Sequence, residues 1–279
     1  MKKHNFNKNF FKTWSKDMAY VLGFWFADGY ITMNHKTNTS KTFGIVQSTK
    51  DKYILENIKS KIEFTGDVKE EKTSVYPKST LKIYSKEIYD DIVSLGGMER
   101  KSSIVLMPKI PQAWFKYFLL GFFDGDGCVS IDKRNVLKLT FTGGLEFLSS
   151  IKEEIIRNKL LNDDTGYGCI YHLNTKNSKT YNLEFATLAS YKILSWLYSG
   201  IEEEDLFLKR KYEKFNTFKF SKKSKNKVKY TVEDEKGNIN FIHNLSKFLS
   251  ENHIPESSFR KYLKKNKRYN GMLFSRFET

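Results

Sequence analysis

Two short runs constrain this chain more than anything else in it. Val21-Leu22-Gly23-Phe24-Trp25-Phe26-Ala27-Asp28-Gly29 and Leu119-Leu120-Gly121-Phe122-Phe123-Asp124-Gly125-Asp126-Gly127 lie 98 residues apart. Gly23 aligns with Gly121, Asp28 with Asp126 and Gly29 with Gly127 at that one offset. Repetition at a fixed offset predicts a duplicated structural unit with internal pseudo-twofold symmetry. Tyr20, Val21, Phe24 and Trp25, like Tyr117, Phe118 and Phe122, recur at three- and four-residue spacing, which predicts helices buried on most faces. Glycine inside such a helix costs about 1 kcal/mol relative to alanine. Direct packing of the two helices at Gly23 and Gly121 would offset that cost, because a missing side chain lets backbones approach. Gly29 and Gly127 read as left-handed residues that end each helix.

That reading puts Asp28 and Asp126 in the last turns of two adjacent helices. A carboxylate is poorly placed there, since the helix C-terminus already carries partial negative charge. A divalent cation between the acids would resolve the misfit, and hard oxygen donors suit magnesium. A single Asp-Gly is ordinary turn chemistry. Two matched copies, each behind a mid-helix glycine, point instead to a metal site.

The two phrases resemble those of the LAGLIDADG homing endonucleases in their two-motif, single-chain form, over roughly residues 14–217. Letter by letter, Asp28 and Asp126 fall on the eighth position, where that family places its catalytic, metal-binding carboxylates. The first motif departs at the sixth position, with Phe26 where the second has Asp124; in the family this position is not a metal ligand. The resemblance implies Mg2+ (or Mn2+) held by Asp28 and Asp126 with the backbone carbonyls of Ala27 and Gly125. It implies a polar residue after the second strand of each repeat, which is Gln47 in the first and, with the match sliding, Thr140 as the nearest candidate in the second. It implies a lysine near the end of each repeat: Lys101, and Lys211 with Lys209 as the alternative. Their expected role is to orient solvent and stabilise charge on the phosphate. The implied activity is a staggered double-strand break in DNA with 3′ overhangs.

Composition agrees with a polyanionic partner. Lysine and arginine number 48 against 32 acids, a formal charge of +16, although a merely soluble basic protein can carry as much. The two cysteines, Cys128 and Cys169, lack metal-finger spacing and give no disulfide framework, which suits a reduced intracellular setting, whether cytoplasm, nucleoid or an organelle. Five scattered histidines argue against a histidine-based nuclease centre or a zinc site. The longest apolar run, Met18 to Ala27, is too short to span a bilayer, and the basic N-terminus is followed by no secretory hydrophobic segment.

After each phrase the same elements follow. In the first half, Tyr30–Lys36 and Thr42–Gln47 read as strands and Asp51–Ile62 as a helix. Val68–Tyr76 and Thr80–Tyr84 then pair as strands around the turn Pro77-Lys78-Ser79, and Lys86–Leu95 is helical. The second half repeats this with strands Cys128–Arg134 and Val136–Thr142, helix 145–160, strands 168–173 and 180–185, and helix 188–198. The fold class is therefore α+β: two pseudo-symmetric αββαββα repeats, 1–110 and 111–217, forming a DNA-binding saddle. Alternation turns Ile31, Met33, Val129 and Ile131 toward the helices. The opposite faces, with Thr32, Asn34 and Lys36 in one repeat and Ser130, Asp132, Arg134, Lys138 and Thr140 in the other, become the candidate DNA-reading surface.

Beyond Phe218 the composition shifts. Residues 218–279 carry 15 basic and 6 acidic side chains. Six lysines without an acid over residues 219–229 read as a linker, assigned to 218–229. The last segment, 230–279, reads as a small domain: a hairpin of Tyr230–Val232 and Ile239–Ile242, then two short helices around a break at Asn252–Pro255. Phe259, Tyr262 and Leu263 form the inner side of the second helix. Ser257, Ser258, Arg260, Lys261 and Lys264 form its outer side, a pattern that looks like a helix-turn-helix DNA-binding module.

The expectation is a monomeric, metal-dependent, site-specific endonuclease acting on a long pseudo-palindromic or asymmetric target in double-stranded DNA. Met1 and the end Phe277-Glu278-Thr279 give no support to intein splicing chemistry, so a free-standing or intron-encoded enzyme is expected. Two rivals share the pattern: a maturase that binds intron RNA, and a DNA-binding regulator that keeps the fold without cutting.

Overall fold

The computed structural model describes residues 4–71, 75–101, 104–173, 179–220, 229–237, 239–242 and 244–277. The linker lysines Lys222, Lys223, Lys225 and Lys227, with Ser102, Asn238 and His243, lie outside the described residues. The chain divides into two compact units, Met1–Leu161 with Tyr167–Phe218, and Asn162–Gly166 with Lys219–Thr279.

The larger unit contains the duplication. Its first half runs α1 (Lys16–Asp28), β1 (Gly29–Asn34), β2 (Thr39–Ser48), α2 (Lys52–Lys61), β3 (Lys69–Glu71), β4 (Lys78–Tyr84) and α3 (Lys86–Ser94). The second runs α4 (Gln112–Asp126), β5 (Gly127–Ile131), β6 (Leu137–Gly143), α5 (Leu145–Arg157), β7 (Cys169–His172), β8 (Tyr181–Ala186) and α6 (Leu188–Tyr198). An additional helix, α7 (Lys209–Asn216), follows. The two sheets have the same order, β1-β2-β4-β3 and β5-β6-β8-β7, and every pairing in them is antiparallel.

Alternation explains the layering. Ile31, Phe43, Ile45, Leu81 and Ile83 are buried on one face of the first sheet, as are Val129, Leu139, Phe141, Leu183 and Phe185 in the second. One shared core joins both halves, with α1 and α4 through its middle. Ser15 starts α1 by accepting the Met18 N–H, and Met18 to Phe26 are then buried without a break. A helix with no polar face is stable only where other elements surround it.

Strand bounds shift by a few residues from the sequence expectation, residues 72–74 of the expected strand Val68–Tyr76 lie outside the described residues, and one turn moves. Lys78 and Ser79 belong to β4, not to a turn: Ser79 pairs with both Gln47 and Glu70, and its side chain is fully buried. Gly29 and Gly127 are also corrected. Their φ values of −92° and −99° are extended, so neither is a left-handed helix end. Each is a glycine for lack of space: a Cβ would fall 2.1 Å from the Trp25 ring at Gly29 and 2.3 Å from the Phe123 ring at Gly127.

The smaller unit contains β9 (Lys229–Glu233), β10 (Ile239–Ile242), α8 (Leu245–Glu251), α9 (Glu256–Lys265) and β11 (Leu273–Phe277). The expected hairpin and helix pair are present, but β11 adds a third strand against β9. Val232, Ile242, Leu249, Ile254, Phe259 and Phe274 form its own core. The two helices are thus part of a ββααβ unit.

The glycine contact between α1 and α4 is backbone against backbone: a Cβ on Gly23 would lie 1.9 Å from the Phe118 carbonyl oxygen, and one on Gly121 2.0 Å from that of Tyr20. Gly23→Ala should therefore lower the melting temperature by roughly 5–10 °C through overpacking. Gly143→Ala, whose new methyl would meet Leu148 at 3.5 Å, should change it by no more than about 2 °C. Thermal unfolding followed by circular dichroism checks both; equal shifts would contradict the close approach.

Candidate active site

The glycine packing carries α1 and α4 together to their C-terminal ends. At Gly125 a Cβ would fall 2.2 Å from the Ala27 Cβ and 3.0 Å from Asp28 Oδ2. Asp28 and Asp126 are the last residues of the two helices, and their charges interact. Burial and then the neighbouring Asp126 push the Asp28 carboxyl up to about 7, against the pull of Lys101, Lys211 and a hydrogen bond from Gln47. Burial also raises Asp126, opposed by the same two lysines.

Those lysines are the second half of the site. Lys101 is 8% exposed and Lys211 4%. Lys101 Nζ donates to the carbonyls of Phe26 at 2.7 Å and Ala27 at 2.9 Å. Lys211 Nζ donates to Phe123 at 2.5 Å, Asp124 at 2.8 Å and Gly127 at 2.5 Å. Each ammonium therefore satisfies open carbonyls at a helix C-terminus, where a cation is favoured. Each also lies over an aromatic ring, Lys101 at 5.3 Å from Trp25 and Lys211 at 4.8 Å from Phe123, and these rings are themselves 98 residues apart. Burial lowers both amines to about 8, opposed first by Asp126 for Lys101 and by Asp124 for Lys211. Lys209 is exposed on the first turn of α7, so Lys211 is the lysine at the site. A bound cation is thus not needed for all the relief of the helix-end misfit, because two protein ammoniums supply part of it.

The halves differ beside their acids. Gln47 Nε2 donates to Asp28 Oδ2 at 2.9 Å. Strand register identifies its counterpart: Gly29 pairs with Ile45 and Gly127 with Phe141, so Gln47 corresponds to Gly143. Thr140 is therefore not that counterpart; it lies opposite Cys128 on the outer sheet face. Sequence matching slides here because the loops between strands differ in length.

The residues fit a hard divalent cation. Asp28 and Asp126 supply hard carboxylate oxygens at adjoining helix ends, and burial, which raises the proton affinity of both, leaves them short of solvent to stabilise their charge. The Ala27 carbonyl already accepts from Lys101, with a second lone pair left over. Among the described residues no group of three or more His, Cys, Asp and Glu side chains is placed to hold a metal, so such a cation would rest on this carboxylate pair and on backbone oxygens.

Asp124 joins the site without having been singled out by the sequence pattern. Its carboxylate is fully buried and accepts from the Tyr20 hydroxyl at 2.7 Å and the Leu208 N–H at 2.8 Å. Burial pushes it up to about 6, restrained by Lys211, Tyr20 and the Leu208 N–H. The available signal was the mismatch with Phe26 at an otherwise apolar position.

The remaining candidates divide by location. Thr32, Asn34 and Ser130 are exposed on β1 and β5, and Lys138 and Thr140 share the outer face of β6. Lys138 pairs with Glu184 at 2.9 Å. Lys36, Asp132 and Arg134 lie beyond the strand ends rather than within them. Asp132 ties its own loop, accepting from the N–H groups of Arg134 and Val136 and from the Arg134 guanidinium. Ser257, Arg260, Lys261 and Lys264 are exposed on α9, with Ser258 half-buried; Arg260 is paired with Glu256.

No family model matches the chain, and no curated protein matches it. Among solved structures it is similar to the I-LtrWI LAGLIDADG homing endonuclease bound to target DNA, at 14% identity over 95% of this chain and 99% of that one, with a TM-score of 0.48. It is similar to the homing endonuclease I-WcaI bound to its DNA recognition sequence, at 15% identity over 76% and 92%, TM-score 0.48. A third likeness is to mesophilic variants from the homing endonuclease I-DmoI, at 16% identity over 74% and 97%, TM-score 0.47. These are loose likenesses of fold.

The raised Asp28 carboxyl has a consequence for stability without metal. The folded form binds its proton more tightly than the unfolded chain does, so between about pH 4 and about 7 this group subtracts stability as pH rises. Asp28→Asn removes that slope. In metal-free buffer its melting temperature should exceed wild type at pH 8 by roughly 3–6 °C, with the gap closing as pH falls toward about 4. Added Mg2+ should raise wild type and not the variant. A gap that grows on acidification would contradict the assignment.

Proposed function

We propose that the protein is a metal-dependent, site-specific endonuclease of double-stranded DNA, with one cutting centre per strand. The observation that carries this reading is the cluster of two acids, Asp28 and Asp126, with two buried lysines, Lys101 and Lys211, at the touching ends of two glycine-packed helices. The resemblance of both phrases to the LAGLIDADG motif supports the same chemistry, as does the formal charge of +16.

Cutting a phosphodiester needs an activated water, charge neutralisation on the phosphate and stabilisation of the leaving oxygen. Asp28 and Asp126 would hold Mg2+ or Mn2+, which when bound polarises phosphate oxygens and acidifies water. Lys101 and Lys211 place positive charge beside each acid in a buried setting, where a fixed charge acts more strongly than in water. Gln47 holds one oxygen of Asp28 and leaves the other to coordinate. Two centres this close match scissile phosphates facing each other across a minor groove, giving a staggered break with 3′ overhangs. The outer sheet faces would read the major groove, and the basic side of α9 would extend the grip along the phosphate backbone.

The test mixes the purified protein and Mg2+ with a plasmid carrying its host locus without the intervening element. Linear product is expected, lost in Asp28→Asn and in Asp126→Asn. Lys101→Ala or Lys211→Ala should slow cutting roughly 10²–10³-fold. Tight binding without cutting in Mg2+ or Mn2+ would leave a DNA-binding regulator or an RNA-binding maturase. Removing residues 219–279 should weaken DNA binding and flatten its salt dependence, by about 0.9 in log–log slope for each phosphate no longer neutralised. Titration at several salt concentrations measures this, and an unchanged slope would remove α9 from the interface.

A further inference from the structure

We propose that the first repeat positions the active-site lysine of the second: Tyr20, Asp51 and Tyr53 clamp the start of α7 and thereby fix Lys211. For its role in cutting, this rests on the nuclease reading above.

Helix α7 begins without a local cap. Its N-cap residue, Leu208, offers no side-chain acceptor, and the first N–H groups of a helix must find partners elsewhere. They find them far away in sequence. The Leu208 N–H donates to Asp124 Oδ2 at 2.8 Å, and the Tyr20 hydroxyl donates to the same oxygen at 2.7 Å. The Lys209 N–H donates to the Tyr53 hydroxyl at 2.7 Å. Arg210 Nε donates to both oxygens of Asp51, at 3.1 and 2.8 Å, and Asp51 is only 4% exposed. Just upstream, Lys16 of α1 forms an ion pair with Asp205. Three consecutive residues before Lys211 are thus each anchored, two of them directly by side chains of the first repeat. The third is anchored through Asp124, which Tyr20 holds.

The arrangement runs one way. The segment leading to Lys101 is held by Glu99, which accepts the Met33 N–H at 2.8 Å, meets His35 Nε2 at 2.6 Å and accepts from the Tyr89 hydroxyl at 3.4 Å. All three partners belong to the same repeat. Among the described residues, the hydrogen bonds that hold the approach to Lys101 come from its own repeat, whereas the approach to Lys211 is held largely from the other. Tyr20, Asp51 and Tyr53 act through Lys211, so they are positioning residues. A small displacement of Nζ suffices to matter, since a misplacement of about 1 Å can cost a reaction roughly 10²-fold.

The test uses the full chain with Tyr53→Phe, Asp51→Asn and the double variant. Ser85→Ala, which removes the cap of α3 through Ile88, controls for general loss of stability in the first repeat. Acetic anhydride labelling read by mass spectrometry reports the reactivity of each amine without requiring DNA. Lys211 should label several-fold faster in the clamp variants, with Lys101 unchanged. On the cleavable plasmid the same variants should accumulate nicked circle, with one strand cut roughly tenfold more slowly, the other unaffected and DNA affinity retained. Equal slowing of both strands, unchanged Lys211 labelling, or the same strand bias in Ser85→Ala would overturn the proposal. If wild type cuts nothing, the nuclease reading fails and the labelling alone decides the clamp.

Discussion

The contact between α1 and α4 is the constraint from which the rest follows. Side chains would hold two helices 8–10 Å apart, but Gly23 and Gly121 let each backbone touch the other's carbonyls. That approach has three effects at once. It buries most of two aromatic-rich helices, it makes their C-terminal ends converge, and it holds Asp28 and Asp126 in a largely desolvated last turn. Asp28 and Asp126 are polar residues in a place set by packing, and their raised proton affinity is the electrostatic consequence of that geometry.

Convergent helix ends would bring two partial negative charges and two carboxylates into one small space. The lysines make this tolerable. An ammonium is compact and carries three donors, and Lys211 uses all three on carbonyls of the α4 end. Arginine's planar fork suits carboxylates and phosphates better than a ring of carbonyls, which accounts for lysine at both positions. The local charge is then three acids, Asp28, Asp124 and Asp126, against two amines, with burial acting on both kinds: it raises the acids and lowers the amines. Such a set is poised to exchange protons or to accept a further cation, whereas a solvated ion pair is not.

Much of this was legible in the sequence because its causes are local. Helical periodicity, the mid-helix glycines and the repeated Asp-Gly pointed to the duplicated unit, and Lys101 and Lys211 followed from the family resemblance. The errors originate in packing and pairing rather than in residue propensity. Gly29 and Gly127 look like helix stops, yet the reason for glycine is the ring of a residue one turn earlier. The counterpart of Gln47 is Gly143, visible only once the sheet register is known. Helix α7 has no capping box because its caps come from Tyr53 and Asp124, about 156 and 84 residues away in sequence. Strand β11 depends on its partner β9 across some forty residues, and a short strand has little signal of its own.

The duplication also explains how the halves could come to differ. In a symmetric dimer of identical chains every contact across the axis must occur twice, so a helix anchored by its partner would need an equivalent in both copies. A single chain lifts that requirement. Among the described residues α7 has no counterpart in the first half, and it carries a lysine whose approach is held by that half. The first half holds its own lysine through Glu99, a carboxylate for which the second half substitutes Asp124, on the helix itself. A buried ammonium on the last-turn carbonyls of each helix, sharing one equivalent acceptor (Phe26 in α1 and Asp124 in α4), is reached by two unrelated sets of hydrogen bonds. What the pseudo-symmetry preserves is therefore the geometry at the helix ends, while the scaffolding that delivers each lysine is free to diverge.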